Sequence, residues 1–144
     1  MLTREDKINW LKSYSLLGTE IEALQEELEI WRARATKINV TMSPAPAGTG
    51  RSGDKIQTSV EHICQLETDV SGKIEQLIRL RCKIEGAVNS VENRLSRHIL
   101  KACYLHNKTL STVAEEIHYS YRQTIRLHDK ALDELLNGAN SLPK

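Results

Sequence analysis

Four side chains suited to recognising nucleic-acid bases lie close together toward the end of the sequence: Tyr121, Arg122, Gln123 and Arg126. Arginine donates two parallel hydrogen bonds to guanine, glutamine bonds adenine in the same two-point manner, and tyrosine contacts a phosphate or a thymine methyl group. On one exposed helix face, these residues would read base edges in the major groove of double-stranded DNA.

Basic residues that could hold the flanking phosphate backbone surround this group: Lys108, Lys130 and the cluster Arg94, Arg97 and Lys101. Residues 79–130 contain 10 Lys or Arg and 5 Asp or Glu, whereas residues 1–40 contain 6 and 7, and residues 41–78 contain 3 and 5. The net charge of only +1 therefore hides a basic C-terminal part, as expected for a protein that meets phosphates with one end.

The segment from Thr109 to Leu136 has the spacing of a helix-turn-helix. Thr109 is a suitable N-cap for a helix over Leu110–Ile117, His118 and Tyr119 form the turn, and Ser120 with Gln123 makes a capping box for the next helix. The glycine common in such turns is replaced by His118, which reaches the left-handed conformation less easily. The side chains expected to point inward are Val113, Ala114, Ile117, Leu127, Ala131, Leu132 and Leu135. A helix from about Glu92 to Tyr104, followed by a turn over 105–108, completes a three-helix domain.

Two heptad seams precede this domain. The first predicts a helix from Thr3 to Ile38 and contains Trp10, Tyr14, Leu17, Ile21, Leu24, Leu28, Trp31, Ala35 and Ile38. The second predicts a helix from Asp54, with a capping box to Gln57, to about Tyr104, kinked or split near Gly86, Asn89 and Ser90. Its seam is Ile56, Val60, Ile63, Glu67, Val70, Ile74, Leu77, Arg81, Ile84, Val88, Val91 and Leu95. Residues 42–53, rich in Pro and Gly, read as a loop.

The predicted fold is thus all-α: a long, coiled-coil-like antiparallel helical hairpin over 1–91, followed by a helix-turn-helix domain over 92–144. The seams fit an intramolecular core and equally a surface that also joins copies of the chain, a dimer being the first expectation. The sequence leaves both open.

Composition and spacing argue against several other functions. Cys64, Cys82 and Cys103 show no C-x-x-C pair, and His98, Cys103 and His106 are not spaced to converge on a metal, so we expect neither disulfides nor a metal site. There is no phosphate-binding loop or catalytic motif, so we expect no enzymatic activity and no cofactor. With no apolar run of membrane length and no secretory signal, we expect a cytoplasmic protein that does not bind membranes.

The residues Leu110 to Leu132 resemble, without a gap, the fourth-region helix-turn-helix of sigma factors. The whole chain resembles small transcriptional regulators encoded by phages and prophages of Gram-positive bacteria, of the RinA and ArpU late-gene activator type. The resemblance rests on the N-terminal helical arm, the Pro/Gly-rich loop, the Ile/Leu heptads, Ile99-Leu100 before Tyr104-Leu105, Tyr119-Ser120, and Arg126-Leu127-His128. It implies sequence-specific DNA binding near a phage promoter, regulation of transcription, and contact with RNA polymerase.

Two alternatives keep the same fold. Small subunits of phage packaging terminases also combine a helix-turn-helix with helical oligomerisation, but usually in the reverse order along the chain. A helical adaptor would instead bind a host protein through the hairpin, with the C-terminal helices as a cap. Loss of function on replacing Arg122 and Arg126 would argue against the adaptor.

Overall fold

The structure is a computed structural model that describes the backbone of residues 2–41 and 51–137 and the side chains of residues 2–37 and 55–135. The described residues form five helices and no strand: α1 (Arg4–Thr41), α2 (Arg51–Asn89), α3 (Arg94–Tyr104), α4 (Leu110–Ile117) and α5 (Tyr121–Asn137). The predicted all-α class is confirmed. None of the helices in this described part is long and apolar enough to cross a membrane.

The start of α1 follows the predicted cap. The Asp6 carboxylate accepts hydrogen bonds from the backbone N–H and the hydroxyl of Thr3, both at 2.8 Å, and the Thr3 hydroxyl accepts from the Asp6 N–H at 3.1 Å. These bonds lower the pKa of the Asp6 carboxyl. They also satisfy N–H groups that have no partner inside the helix.

The first helix is longer than predicted. The second begins earlier than predicted but also ends earlier, and is shorter overall. Helix α1 continues past Ile38 to Thr41, and α2 begins at Arg51, three residues before the predicted cap at Asp54. The predicted loop over 42–53 therefore lies outside the described residues except for its last three positions, which are helical. A glycine such as Gly53 costs only about 1 kcal/mol in a helix, too little to end one by itself.

The sequence predicted a helix from Asp54 to about Tyr104 that is kinked or split near Gly86. The structure shows a split, so a continuous helix over this range is wrong. Helix α2 ends at Asn89, and α3 begins at Arg94. Gly86 lies within α2 and does not interrupt it. The break comes at Asn89 and Ser90, where the Ser90 N–H bonds the Ala87 carbonyl and the Val91 N–H bonds the Val88 carbonyl. Asn93 then caps α3 by accepting from the N–H groups of Leu95 and Ser96 at 2.8 and 3.2 Å.

The described residues group into two compact units. Unit 1 joins the residues up to Leu17 with those from Leu77 onward, and unit 2 contains the described part of 18–76. This grouping differs from the boundary predicted between residues 91 and 92. The division into a helical hairpin over 1–91 and a helix-turn-helix domain over 92–144 stays a prediction.

Unit 1 has a core to which the start of α1, the end of α2, α3 and α5 all contribute. Its buried members are Leu11, Ile84, Val88, Val91, Leu100, Tyr104, Leu105, Ala131, Leu132 and Leu135. A smaller cluster of Ile99, Ala102 and Val113, flanked by Leu127, joins α3, α4 and α5. The predicted inward face of α5 is therefore correct at Ala131, Leu132 and Leu135, while Leu127 is half-buried.

In unit 2, α1 and α2 pair in antiparallel order. Glu20 bonds Lys73 at 3.1 Å, whereas Arg32, later in α1, bonds Glu67, earlier in α2, at 2.9 Å. The rings of Trp31 and His62 lie 4.2 Å apart between them. The described members of the first predicted seam are all buried or half-buried, so its register is correct.

The second predicted seam is wrong at every other position in this unit. Its members Ile56, Ile63 and Val70 are buried or half-buried, but Val60, Glu67 and Ile74 are exposed. The buried positions are one residue earlier, at Ser59 and Leu66. Choosing the apolar Val60 and Ile74 over Ser59 and Lys73 shifted the pattern, although Leu66 beside Glu67 pointed to the correct register.

Candidate nucleic-acid interface

Helices α4 and α5 are joined by a tight turn that local interactions hold in place. The Thr109 hydroxyl caps α4 by accepting from the Thr112 N–H at 3.2 Å. His118 ends α4 in the left-handed conformation, with φ 59° and ψ 37°, and the Tyr119 N–H bonds the Ala114 carbonyl at 3.0 Å. His118 thus takes the conformation that glycine usually supplies at a helix end, so its departure from the glycine of such motifs does not prevent the turn.

The outward face of α5 carries the four predicted base-reading residues. Tyr121, Arg122, Gln123 and Arg126 are all exposed, Tyr121 to 54%. The opposite face is closed by Thr124, whose hydroxyl bonds the Ser120 carbonyl at 2.9 Å, and by Leu132. Within the described residues, neither Arg122 nor Arg126 forms an ion pair, and the predicted phosphate ligand Lys130 is likewise exposed and unpaired.

Gln123 has a second role that conflicts with reading a base. Its side-chain oxygen accepts hydrogen bonds from the backbone N–H and the hydroxyl of Ser120, at 3.2 and 3.1 Å, and the Gln123 N–H bonds the Ser120 hydroxyl at 3.1 Å. This is the predicted capping box. Two-point bonding to adenine needs the same amide oxygen, so Gln123 can read a base in that way only by giving up the cap.

Lys108 is also occupied. Its ammonium bonds both carboxylate oxygens of Glu116, at 2.9 and 3.0 Å, and ties the segment before α4 to that helix. Asn107, next to it, has a positive φ of 57°, a conformation that asparagine tolerates better than most residues. A phosphate would have to compete with Glu116 for Lys108.

The predicted phosphate cluster on α3 forms one basic face. Arg94, Arg97, His98 and Lys101, with Asn89 from α2, line an open depression of about 440 Å³. Helix α3 contains no acidic residue, and in the described part of the chain none of the three Lys and Arg residues forms an ion pair. Arg97 is partly used within the protein, since it donates to the carbonyls of Val91 and Glu92 at 2.8 and 3.2 Å and so closes the α2–α3 turn.

A chain of polar contacts that sequence reasoning missed links α3, α5 and α1. The buried His128 on α5 shares a hydrogen bond of 2.8 Å with the Tyr104 hydroxyl on α3, and its other ring nitrogen lies 3.2 Å from the Asp129 carboxylate. Burial raises the pKa of Tyr104 to about 12. At the exposed end, Arg4 of α1 contacts Asp129 and Asp133. No local spacing could have indicated these contacts, because Arg4 and Asp133 are 129 positions apart.

Lys7, one turn after Arg4, is the other unexpected residue of this region. Its side chain is 0% exposed, and its ammonium has no hydrogen-bond partner among the described residues. Burial lowers its pKa to about 8, and the charge of Asp133 partly opposes that shift. The start of α1 is thus packed tightly enough to bury a lysine.

Comparisons of the chain with protein-family models, with curated proteins and with solved structures give no match.

Proposed function

We propose that this chain is a sequence-specific, double-stranded-DNA-binding regulator of transcription that inserts α5 into the major groove. The observation that carries the proposal is the exposed pair Arg122 and Arg126 in the first two turns of α5, with no acidic partner among the described residues. A surface arginine without an ion pair is free to meet an anion or a base edge without first breaking a bond inside the protein.

The way in which α5 is held supports this use. Its first turn is capped by Ser120, and its inner face is packed by Ala131, Leu132 and Leu135. A helix that projects base-reading side chains gains precision from such packing, because the side chains start from a fixed backbone. In this arrangement, Arg122 and Arg126 would read bases, Tyr121 would contact bases or phosphate, and Lys130 would hold phosphate.

The basic face of α3 supplies a second set of phosphate ligands in the proposal. Arg94 and Lys101 provide charge there without any acid on the same helix. Contacts of this kind add affinity without sequence preference and make binding fall with salt.

The proposal that the protein regulates transcription is based on resemblance. The likeness of Leu110–Leu132 to the fourth-region helix-turn-helix of sigma factors, and of the whole chain to RinA- and ArpU-type phage regulators, supports a promoter-proximal DNA site. Contact with RNA polymerase and assembly into a dimer belong to the same proposal.

The test is selection of binding sites by the full chain. Fragmented DNA from around the protein's own gene is bound at two salt concentrations, and the bound fraction is sequenced. We expect one short site to be enriched upstream of a structural or packaging gene. Enrichment beside a packaging origin would favour a terminase-like role, and no enrichment at either salt would argue against DNA recognition altogether.

Variants then test the assigned face. Arg126→Ala should weaken binding to the selected site by about 1–3 kcal/mol and relax preference at one base position. The matched control for Arg122→Ala with Arg126→Ala is Lys12→Ala with Lys83→Ala, which removes the same charge from exposed positions on α1 and α2. Equal losses in the two double variants would mean that only net charge matters, and the proposed reading face would be wrong.

A further inference from the structure

The outward face of α5 changes sign along its length. Arg122, Arg126, Asp129 and Asp133 follow one another at steps of four, three and four residues, so they lie in a single stripe along the helix. The first two carry positive charge and the last two negative charge. A phosphate backbone following this stripe would be attracted to its first half and repelled by its second half.

Arg4 covers the negative half. Its guanidinium makes a two-point contact with Asp133, with Nη2 at 2.7 and 2.8 Å from the two carboxylate oxygens and Nε at 3.2 Å from one of them. Nη1 of the same side chain lies 3.9 Å from Asp129. One cation from α1 therefore faces both acids of the α5 stripe.

The position of Arg4 is set by the packing of α1. Thr3 and Asp6 cap the helix on either side of Arg4, and Leu11, two turns later, is fully buried in the same cluster as Leu132 and Leu135. The buried Lys7 lies between these points. The packing of the start of α1 against α5 thus holds the Arg4 guanidinium beside α5.

Stability alone gives little reason for this pair. The side chains of Arg4, Asp129 and Asp133 are 47%, 42% and 52% exposed, and ion pairs so open to water contribute little to folding. The same charges still matter for DNA binding, because an unpaired carboxylate on the stripe repels the phosphates of a polyanion that follows it.

We propose that Arg4 is a positioning residue for DNA binding, which neutralises Asp129 and Asp133 and so extends the DNA-compatible surface of α5 beyond Arg126. This inference rests on the proposed function. It assigns the start of α1, distant in sequence from the helix-turn-helix, to the DNA-binding surface.

The test compares the full-length chain with three variants on the duplex selected by the wild type, using fluorescence anisotropy at several salt concentrations. The variants are Arg4→Ala, Arg4→Ala combined with Asp129→Asn and Asp133→Asn, and the control Arg32→Ala. Arg32 makes a comparable exposed pair, with Glu67 in unit 2, and is outside the proposed surface. Asparagine keeps an oxygen at position 129 for the contact with His128.

We expect Arg4→Ala to weaken binding about five- to tenfold at low salt, with a smaller loss at high salt, because the unmasked acids act through screened charge. The triple variant should bind within about twofold of the wild type, since its acids are gone. Arg32→Ala should bind as the wild type does, and the thermal unfolding of all variants should stay close to that of the wild type.

Two results would overturn the role of Arg4 while leaving the proposed function intact. One is wild-type affinity in Arg4→Ala, with affinity still lost in the Arg122 and Arg126 variant. The other is a triple variant as weak as Arg4→Ala, which would mean that Arg4 contacts DNA itself or holds the orientation of α5. If the wild-type chain binds no duplex, both proposals fall together.

Discussion

The two units of the molecule bury their apolar side chains to different depths. In unit 1, Leu11, Ile84 and Leu132 are 0% exposed, whereas the best-buried apolar residue in the described part of unit 2, Leu66, is still 5% exposed. Segments of four helices form the main core of unit 1, and the side chains described in unit 2 come from two helices. Two helices bury one stripe each and leave its edges near water, whereas several helices enclose a side chain from every direction.

This difference separates two kinds of sequence information. In unit 2, stability depends on a repeated pattern in which each position contributes a modest amount. In unit 1, it depends on individual residues from distant parts of the chain, including the start of α1. Variants in the two units test that contrast.

The largest expected effect comes from truncating one leucine in each unit. Leu132→Ala should destabilise unit 1 by about 4 kcal/mol and Leu66→Ala should destabilise unit 2 by about 2 kcal/mol, since a cavity costs more where the surroundings are fully packed. The two tryptophans make separate reporters, because Trp10 lies against the unit 1 core and Trp31 lies in unit 2 against His62. Denaturant unfolding followed by fluorescence, with the other tryptophan replaced by phenylalanine, measures each unit. Equal losses at the two sites would contradict the contrast in packing.

An intermediate effect is expected at the buried lysine. Lys7→Met should stabilise the protein by about 2 kcal/mol at pH 7, because it removes an ammonium group that is buried without a hydrogen bond. The folded state holds the Lys7 pKa at about 8, below its ordinary value of 10.5, so the unfolded chain binds more protons between those values. The wild type should therefore gain stability as the pH rises from about 8 to 10.5, and the advantage of Lys7→Met should shrink over that interval.

Unfolding of both proteins across this pH range measures the difference directly. The raised pKa values of Cys103, about 11, and Tyr104, about 12, are common to both and cancel in the comparison. An advantage that does not change with pH would mean that the Lys7 ammonium reaches water in the folded protein and keeps its ordinary pKa.

The smallest effect is expected for the exposed ion pair of unit 2. Arg32→Ala should cost about 0.5 kcal/mol, because both Arg32 and Glu67 are about half exposed and water competes with their bond. The Trp31 signal reports this change, and the loss should disappear when the measurement is repeated at high salt. A loss above that of Leu66→Ala would show that charge pairing, more than the apolar seam, holds α1 to α2.

Local rules worked well where the interaction was local. The caps at Thr3 and Thr109, and the box formed by Ser120 with Gln123, were readable because a hydroxyl and the N–H groups that it accepts lie within three residues. The turn over His118 and Tyr119 was also predicted, although a histidine in place of glycine argued against it. The exposure of Arg122 and Arg126 followed from the apolar face opposite them.

Reasoning from pattern failed where two readings of the same residues were nearly equal. Along α2, the choice between Val60 and Ser59 could not be settled by polarity, because the position facing α1 holds a serine. The pairing of Lys108 with Glu116 was also missed, since an ammonium suited to phosphate is equally suited to a carboxylate. Gln123 was assigned both a cap and a base, although its amide oxygen is already used by the cap.

The sequence by itself determined the all-α class, the caps of α1, α4 and α5, the first seam and the outward face of α5, because these depend on neighbours within one or two turns of the same helix. Only the tertiary structure decided the register of α2 in unit 2, the burial of Lys7, and the contact of Arg4 with Asp129 and Asp133. Those features depend on which distant segments meet. The energy of such a meeting comes from packing and charge across helices, and no periodicity along the chain records it.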